Sequence, residues 1–276
     1  QCSIESTFPA MKRCINALLL CLVSLGWAEW AAAVDCPASS YTLSSQAEVD
    51  AFPVDCDRVP SLLSVEGSDI TNLDGLVNIT SVGGNLLINN NAALTNLDGL
   101  ANLTSVGGFL NIYNNPALTN LDGLANLTTV GGNLSIVDIP ALTNLDGLVN
   151  ITSVEGTLQI IRNAALINLD GLANITSVEG LWIQDNPALT NLNGLANITS
   201  LVYVNLSNNN ALTNLNGLAN LTSVVLFLQI RNNPALTNLD GLANLTSVGG
   251  VLSIVENGAL TNLDGLVNIT SVEGTL

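Results

Sequence analysis

The sequence predicts a mostly β solenoid of about nine coils, preceded by a small N-terminal cap. Three observations predict it. A Leu-Asp-Gly or Leu-Asn-Gly element begins at Leu73, Leu97, Leu121, Leu145, Leu169, Leu192, Leu215, Leu239 and Leu263, at steps of 24 residues apart from two of 23. Within each unit, leucines at every third position give way to a short period-2 alternation. Gly and Pro interrupt every unit too often for an α-helix. A fixed period of this length is the mark of stacked repeats.

The unit Leu94–Ala117 shows the logic. Leu94, Leu97, Leu100, Leu103 and Val106 supply a core, followed by Leu110-Asn111-Ile112-Tyr113. That run reads as a strand with Leu110 and Ile112 inward and Asn111 and Tyr113 outward. Gly107-Gly108 is expected to permit a tight turn before it. Asn114-Asn115-Pro116 turns the chain after it. One coil cannot cover its own core, so coils must stack. At about 4.8 Å per strand, the eight steps between anchors span on the order of 40 Å.

Residues 1–10 precede the only methionine and are expected to lie outside the mature protein. Residues 11–33 read as a secretory signal peptide: Lys12 and Arg13, the apolar run Ala17–Val23, then Ala31-Ala32-Ala33 as a small-residue cleavage site. Residues 34–60 lack the repeat and are expected to form the cap, with Ser44-Ser45 ahead of a short helix. Leu63-Ser64-Val65 reads as a first, imperfect strand of a solenoid spanning 61–276. The repeat array stops in the middle of a unit, which predicts a truncated C-terminus. Cys14 and Cys21 fall in the signal and Cys2 upstream of it, leaving Cys36 and Cys56. A lone pair in an exported chain predicts a disulfide, in preference to a reactive thiol or a metal site.

The pattern LxxLxGLxxLxxVxGxLxIxxNxxL resembles the leucine-rich repeat class over about residues 61–276. Within that class it is most similar to receptor L-domains, and similar tandem units occur in exported microbial surface proteins. The resemblance implies a right-handed leucine-rich-repeat β-solenoid and, more loosely, a recognition role at a cell surface. One departure is visible: Leu118 lies three residues after Asn115, where the usual pattern has a Leu two residues after its Asn.

Five basic and 22 acidic residues give a formal charge of −17. Such a chain cannot track a phosphate backbone, so nucleic acid is excluded as a partner. No second apolar run of spanning length follows the signal, so membrane insertion of the mature chain is not expected. With no His and no free Cys, no catalytic residue, metal site or cofactor is expected, and the protein reads as a non-enzyme.

Several columns recur in every unit. Asn102 and its counterparts, from Asn78 to Asn268, open N-x-T sequons; an asparagine ladder bonded to backbone is favoured over dense glycosylation. Asp98 and its counterparts precede Gly, and each carboxylate is expected to bond a nearby backbone N–H, with calcium binding the sharper alternative. Thr104 and its counterparts are expected to close local turns, with ice binding the alternative.

The outward strand positions vary instead. Their first column includes Asn111, Gln159 and Trp182, their second Tyr113, Val137, Ile161 and Arg231, and their third Asp138, Arg162 and Asp185. All three are expected to form one continuous sheet face. Asp138, Arg162 and Asp185 read as a charge-paired rung. The partner-binding set is Tyr113, Val137, Ile161, Arg162, Trp182, Asp185 and Arg231, aromatic and Arg groups suited to a protein or polysaccharide at the cell surface. The alternatives are a structural or adhesive spacer and, third, an ice-binding protein.

Overall fold

The computed structural model describes residues 33–275, and Val34–Leu276 forms one compact unit. The signal-peptide reading of residues 11–33 and the upstream stretch 1–10 lie outside the described residues, apart from Ala33. The unit is a leucine-rich-repeat solenoid whose strands all pair in parallel.

Ahead of the repeats lie β1 (Tyr41–Leu43), the helix α1 (Gln46–Asp50) and β2 (Arg58–Val59). Ser45 caps α1 by accepting a hydrogen bond from the Glu48 amide. Cys36 and Cys56 form a disulfide across this segment. Val49 and Phe52 pack into the same core as the repeats. β3 (Leu63–Val65) pairs β1 on one side and the first full coil on the other.

Each early coil contributes a two-residue strand, a corner and a four-residue strand. These are β4 (Ser81–Val82) and β5 (Leu86–Asn89), β6 (Ser105–Val106) and β7 (Leu110–Tyr113), then β8 (Thr129–Val130) and β9 (Leu134–Val137). The next four coils run straight through the corner as β10 (Ser153–Ile161), β11 (Ser177–Gln184), β12 (Ser200–Ser207) and β13 (Ser223–Arg231). The split returns in β14 (Ser247–Val248) and β15 (Leu252–Val255), and β16 (Ser271–Val272) follows. Each Asp-Gly-Leu or Asn-Gly-Leu forms a single 3-10 turn, as at Asp98–Leu100.

The core is the leucine set expected from periodicity. Leu94, Leu97, Leu100, Leu103, Leu110 and Ile112 are fully buried, and Val106 nearly so. The glycines act differently from the expectation. Among the described residues no glycine has positive φ, so Gly107-Gly108 does not serve as a left-handed turn. A Cβ on Gly107 would meet the Gly83 carbonyl oxygen at 2.3 Å, and one on Gly99 would meet the Leu73 oxygen at 1.8 Å. Glycine recurs because consecutive coils touch there, backbone against backbone.

Candidate functional site

The recurrent columns are frame, and their hydrogen bonds run between coils. Asn102 Nδ2 donates to the Val77 oxygen of the coil before it at 2.8 Å, and Asn126 repeats this with Ala101. Thr104 Oγ1 donates to the Thr80 carbonyl at 2.9 Å, so the threonine hydroxyls tie coil to coil where local turn closure was expected. The aspartate column corrects its expectation more sharply. The Asp98 amide donates to Asn96 Oδ1, and the same Asx turn recurs at Asp122 and Asp146. Among the described residues no carboxylate of this column accepts a hydrogen bond; the asparagine two residues earlier is the cap. Nor do those carboxylates gather into a group of three or more His, Cys, Asp or Glu able to hold a metal.

A further ladder was not singled out from sequence. Asn91, Asn115, Asn163, Asn186, Asn209 and Asn233 are wholly buried. Asn115 Oδ1 accepts from Asn91 N and Nδ2, while its Nδ2 donates to the carbonyls of Ile88 and Tyr113. Its sequence signal is the Asn of the repeat pattern, which falls on Asn115, and turn chemistry explains that recurrence equally well. Ile139 breaks the ladder.

The variable face is real but its phase differs from the expectation. Asn90, Asn114, Asp138, Arg162, Asp185, Asn208, Asn232 and Glu256 all adopt left-handed φ of 51–60°. They form the corner after each strand, so Arg162 and Asp185 sit at the sheet's edge and not on its face. The third in-phase column lies at the other end: Asn85, Phe109, Asn133, Thr157, Gly180, Tyr203, Phe227 and Val251. Register confirms it, with Thr157 opposite Gly180, Gly180 opposite Tyr203, and Tyr203 opposite Phe227. The alternation Phe109-Leu110-Asn111-Ile112-Tyr113 carried that signal one step upstream.

Trp182 is half-buried on β11, flanked in register by Gln159 and Asn205. Its Nε1 donates to Gln184 Oε1 at 2.8 Å, and Gln184 Nε2 donates to Asp185 Oδ2 at 2.9 Å. Tyr113, Val137 and Ile161 stand side by side. Tyr113 is exposed and Ile161 half-buried, but Val137 is only 9% exposed, because both neighbours flank it. Val137 is therefore a wall of the face and not a free contact. Arg231 is exposed at the end of β13 and bonds Glu256 through Nε at 3.2 Å.

The charge-paired rung is shorter than expected. Arg162 Nε and Nη2 each lie 2.6 Å from an oxygen of Asp138, a bidentate pair. That hydrogen-bonded carboxylate raises the Arg162 pKa. Asp185 stands outside the pair and accepts instead from Gln184 and Asn208.

Fold and face together define a leucine-rich repeat protein with similarity to the receptor L domain, whose family model matches residues 78–146. Among solved structures, the leucine-rich repeat domain of the type III effector XopL is similar at 20% identity, covering 73% of this chain and 70% of that one, with a TM-score of 0.42. The internalin InlF of Listeria monocytogenes is similar at 14% identity, covering 78% of each chain, with a TM-score of 0.29. No curated protein matches the chain. Among the described residues no helix is long and apolar enough to cross a membrane.

Proposed function

We propose that this protein is a non-enzymatic recognition module, secreted or held at a cell surface, that binds a protein or polysaccharide through the outward face of its sheet. The observation that carries the reading is where the repeats differ. Frame columns are nearly invariant, whereas the outward columns change from coil to coil and gather Trp182, Tyr203 and Phe227 on the successive strands β11 to β13. Large aromatic groups with a few polar neighbours suit a recognition surface. The leader-like residues 11–33 and the Cys36–Cys56 disulfide support export.

The test is a binding screen over extracellular proteins and polysaccharides with two variants. Trp182→Ala is expected to weaken a genuine partner about tenfold or more. Full retention of binding by a chain whose outward residues are shuffled over an unchanged core would establish a spacer instead.

A further inference from the structure

The outward aromatics coincide with a local change of architecture. Four coils break the sheet at a Gly-Gly corner, but Val225-Leu226 replaces that pair in β13, and Leu201-Val202-Tyr203 leaves no glycine there in β12. The strands therefore run unbroken and the sheet gains width. Tyr203 lies over Gly180, where an added Cβ would come within 2.6 Å of its ring. Its hydroxyl meets Thr157 Oγ1, two coils away. Phe227 stacks on Tyr203 with ring centroids 5.3 Å apart and planes 20° from parallel. Beside them Val225 is 57% exposed, Leu226 51% and Val251 37%. This is an apolar strip next to Trp182.

We propose that this strip is the docking site of a protein segment bearing an apolar anchor flanked by Lys or Arg. The inference rests on the recognition reading above and chooses between its two partner classes. A polysaccharide fits poorly. The Trp182 N–H is held by Gln184, the Tyr203 hydroxyl by Thr157, and Ser207 is bonded to Asn205, so the polar groups nearest the strip are already partnered. The Tyr203 ring is enclosed between Gly180 and Phe227 and offers no open face for a sugar ring. The exposed groups are aliphatic and cannot satisfy sugar hydroxyls.

Charge selects the flanks. Along the column containing Val202 and Val225, the residues on one side are Glu155 and Glu179, and Glu273 follows Gly249 on the other. Glu155, Glu179 and Glu273 are all exposed. At about 4.8 Å per strand, Glu179 and Glu273 bracket roughly 19 Å of strip. Arg162 and Arg231 lie toward the opposite end of the strands, paired with Asp138 and Glu256. A basic-flanked segment gains from both the acidic bracket and the net charge of −17; an acidic one is repelled.

The experiment is selection of a phage-displayed random dodecapeptide library on the immobilised protein. In parallel the protein is titrated with neutral glucan oligosaccharides. Enriched peptides are expected to combine Leu, Phe or Trp with Lys or Arg, and to bind more weakly as salt is raised. Leu226→Ser and Phe227→Asn, the latter restoring the residue found at Asn133, should each cut their affinity about tenfold. Glu179→Lys should weaken basic-flanked peptides only. Phe109→Asn, in the same column but outside the strip, should change nothing. Circular dichroism and melting temperature report whether each variant is folded. Enrichment without basic residues, enrichment unaffected by the Leu226 and Phe227 changes, or no enrichment at all overturns the proposal. Glucan binding lost in Trp182→Ala but intact in Leu226→Ser would also overturn it, while leaving the recognition face standing.

Discussion

At the scale of single residues, the buried asparagine ladder ties coil to coil inside the core. Asn115 is wholly buried and makes four hydrogen bonds, three to the preceding coil and one within its own. Replacing it leaves several buried backbone groups unpaired, each costing about 1–3 kcal/mol. Asn115→Ala is therefore expected to lower unfolding stability by on the order of 3 kcal/mol or more, read from urea denaturation. Ile139 stands where the next rung would be and offers no acceptor to the Asn115 amide. Ile139→Asn restores the rung but loses aliphatic burial, so a change within about 1 kcal/mol is expected. A large loss there would show that the gap is filled by packing the ladder cannot replace.

At the scale of the coil, stacking distance is the controlling quantity. A Cβ at position 123 would lie 1.8 Å from the Leu97 oxygen, so Gly123→Ala forces two backbones apart. The cost is expected to be about 2–3 kcal/mol, seen as a lowered denaturation midpoint. Gly258 has no atom within 4 Å of its notional Cβ, and Gly258→Ala should stay within about 0.5 kcal/mol of the parent. Equal effects at the two positions would refute the contact argument. The same rule explains the widened sheet. Where Val225 and Leu226 replace the corner glycines, the corner cannot close onto the preceding coil, and the strand continues through it.

At the scale of the whole molecule, like charge is stacked along the solenoid. Asp98, Asp122 and Asp146 follow one another in an exposed column, with no hydrogen bond to their carboxylates among the described residues. Neighbours about 4.8 Å apart repel by roughly 0.9 kcal/mol in water. Asp122→Asn copies what the chain itself carries at Asn193 and Asn216. It is expected to raise stability by up to about 1.5 kcal/mol at low ionic strength and by little at about 1 M salt. A gain independent of salt would place the effect elsewhere. Acid acts in the opposite sense on the cap. The Ser44 N–H and hydroxyl hold the Glu48 carboxyl below the usual carboxylate range. That contribution is present above the ordinary value of 4.5 and lost as pH falls through the lowered one.

The repeat period, the buried leucines, the outward alternation and the Cys36–Cys56 pairing followed from the sequence alone, because each is a property of neighbours along the chain or of a count. What only the tertiary structure decided lies between coils. The glycines answer to the backbone of the preceding coil, and the frame asparagines and threonines bond residues about 24 positions away. The face was misphased by one end. Arg162 and Asp185 continue the strand in sequence, but their left-handed backbone turns them off it; the Asn and Asp at six of the eight positions of that column carried the signal, since they tolerate positive φ. Tyr203, Phe227 and Leu226 became part of a surface only once Gly180, Thr157 and Val251 were set beside them, since an exposed patch is defined by what lies next to it in space.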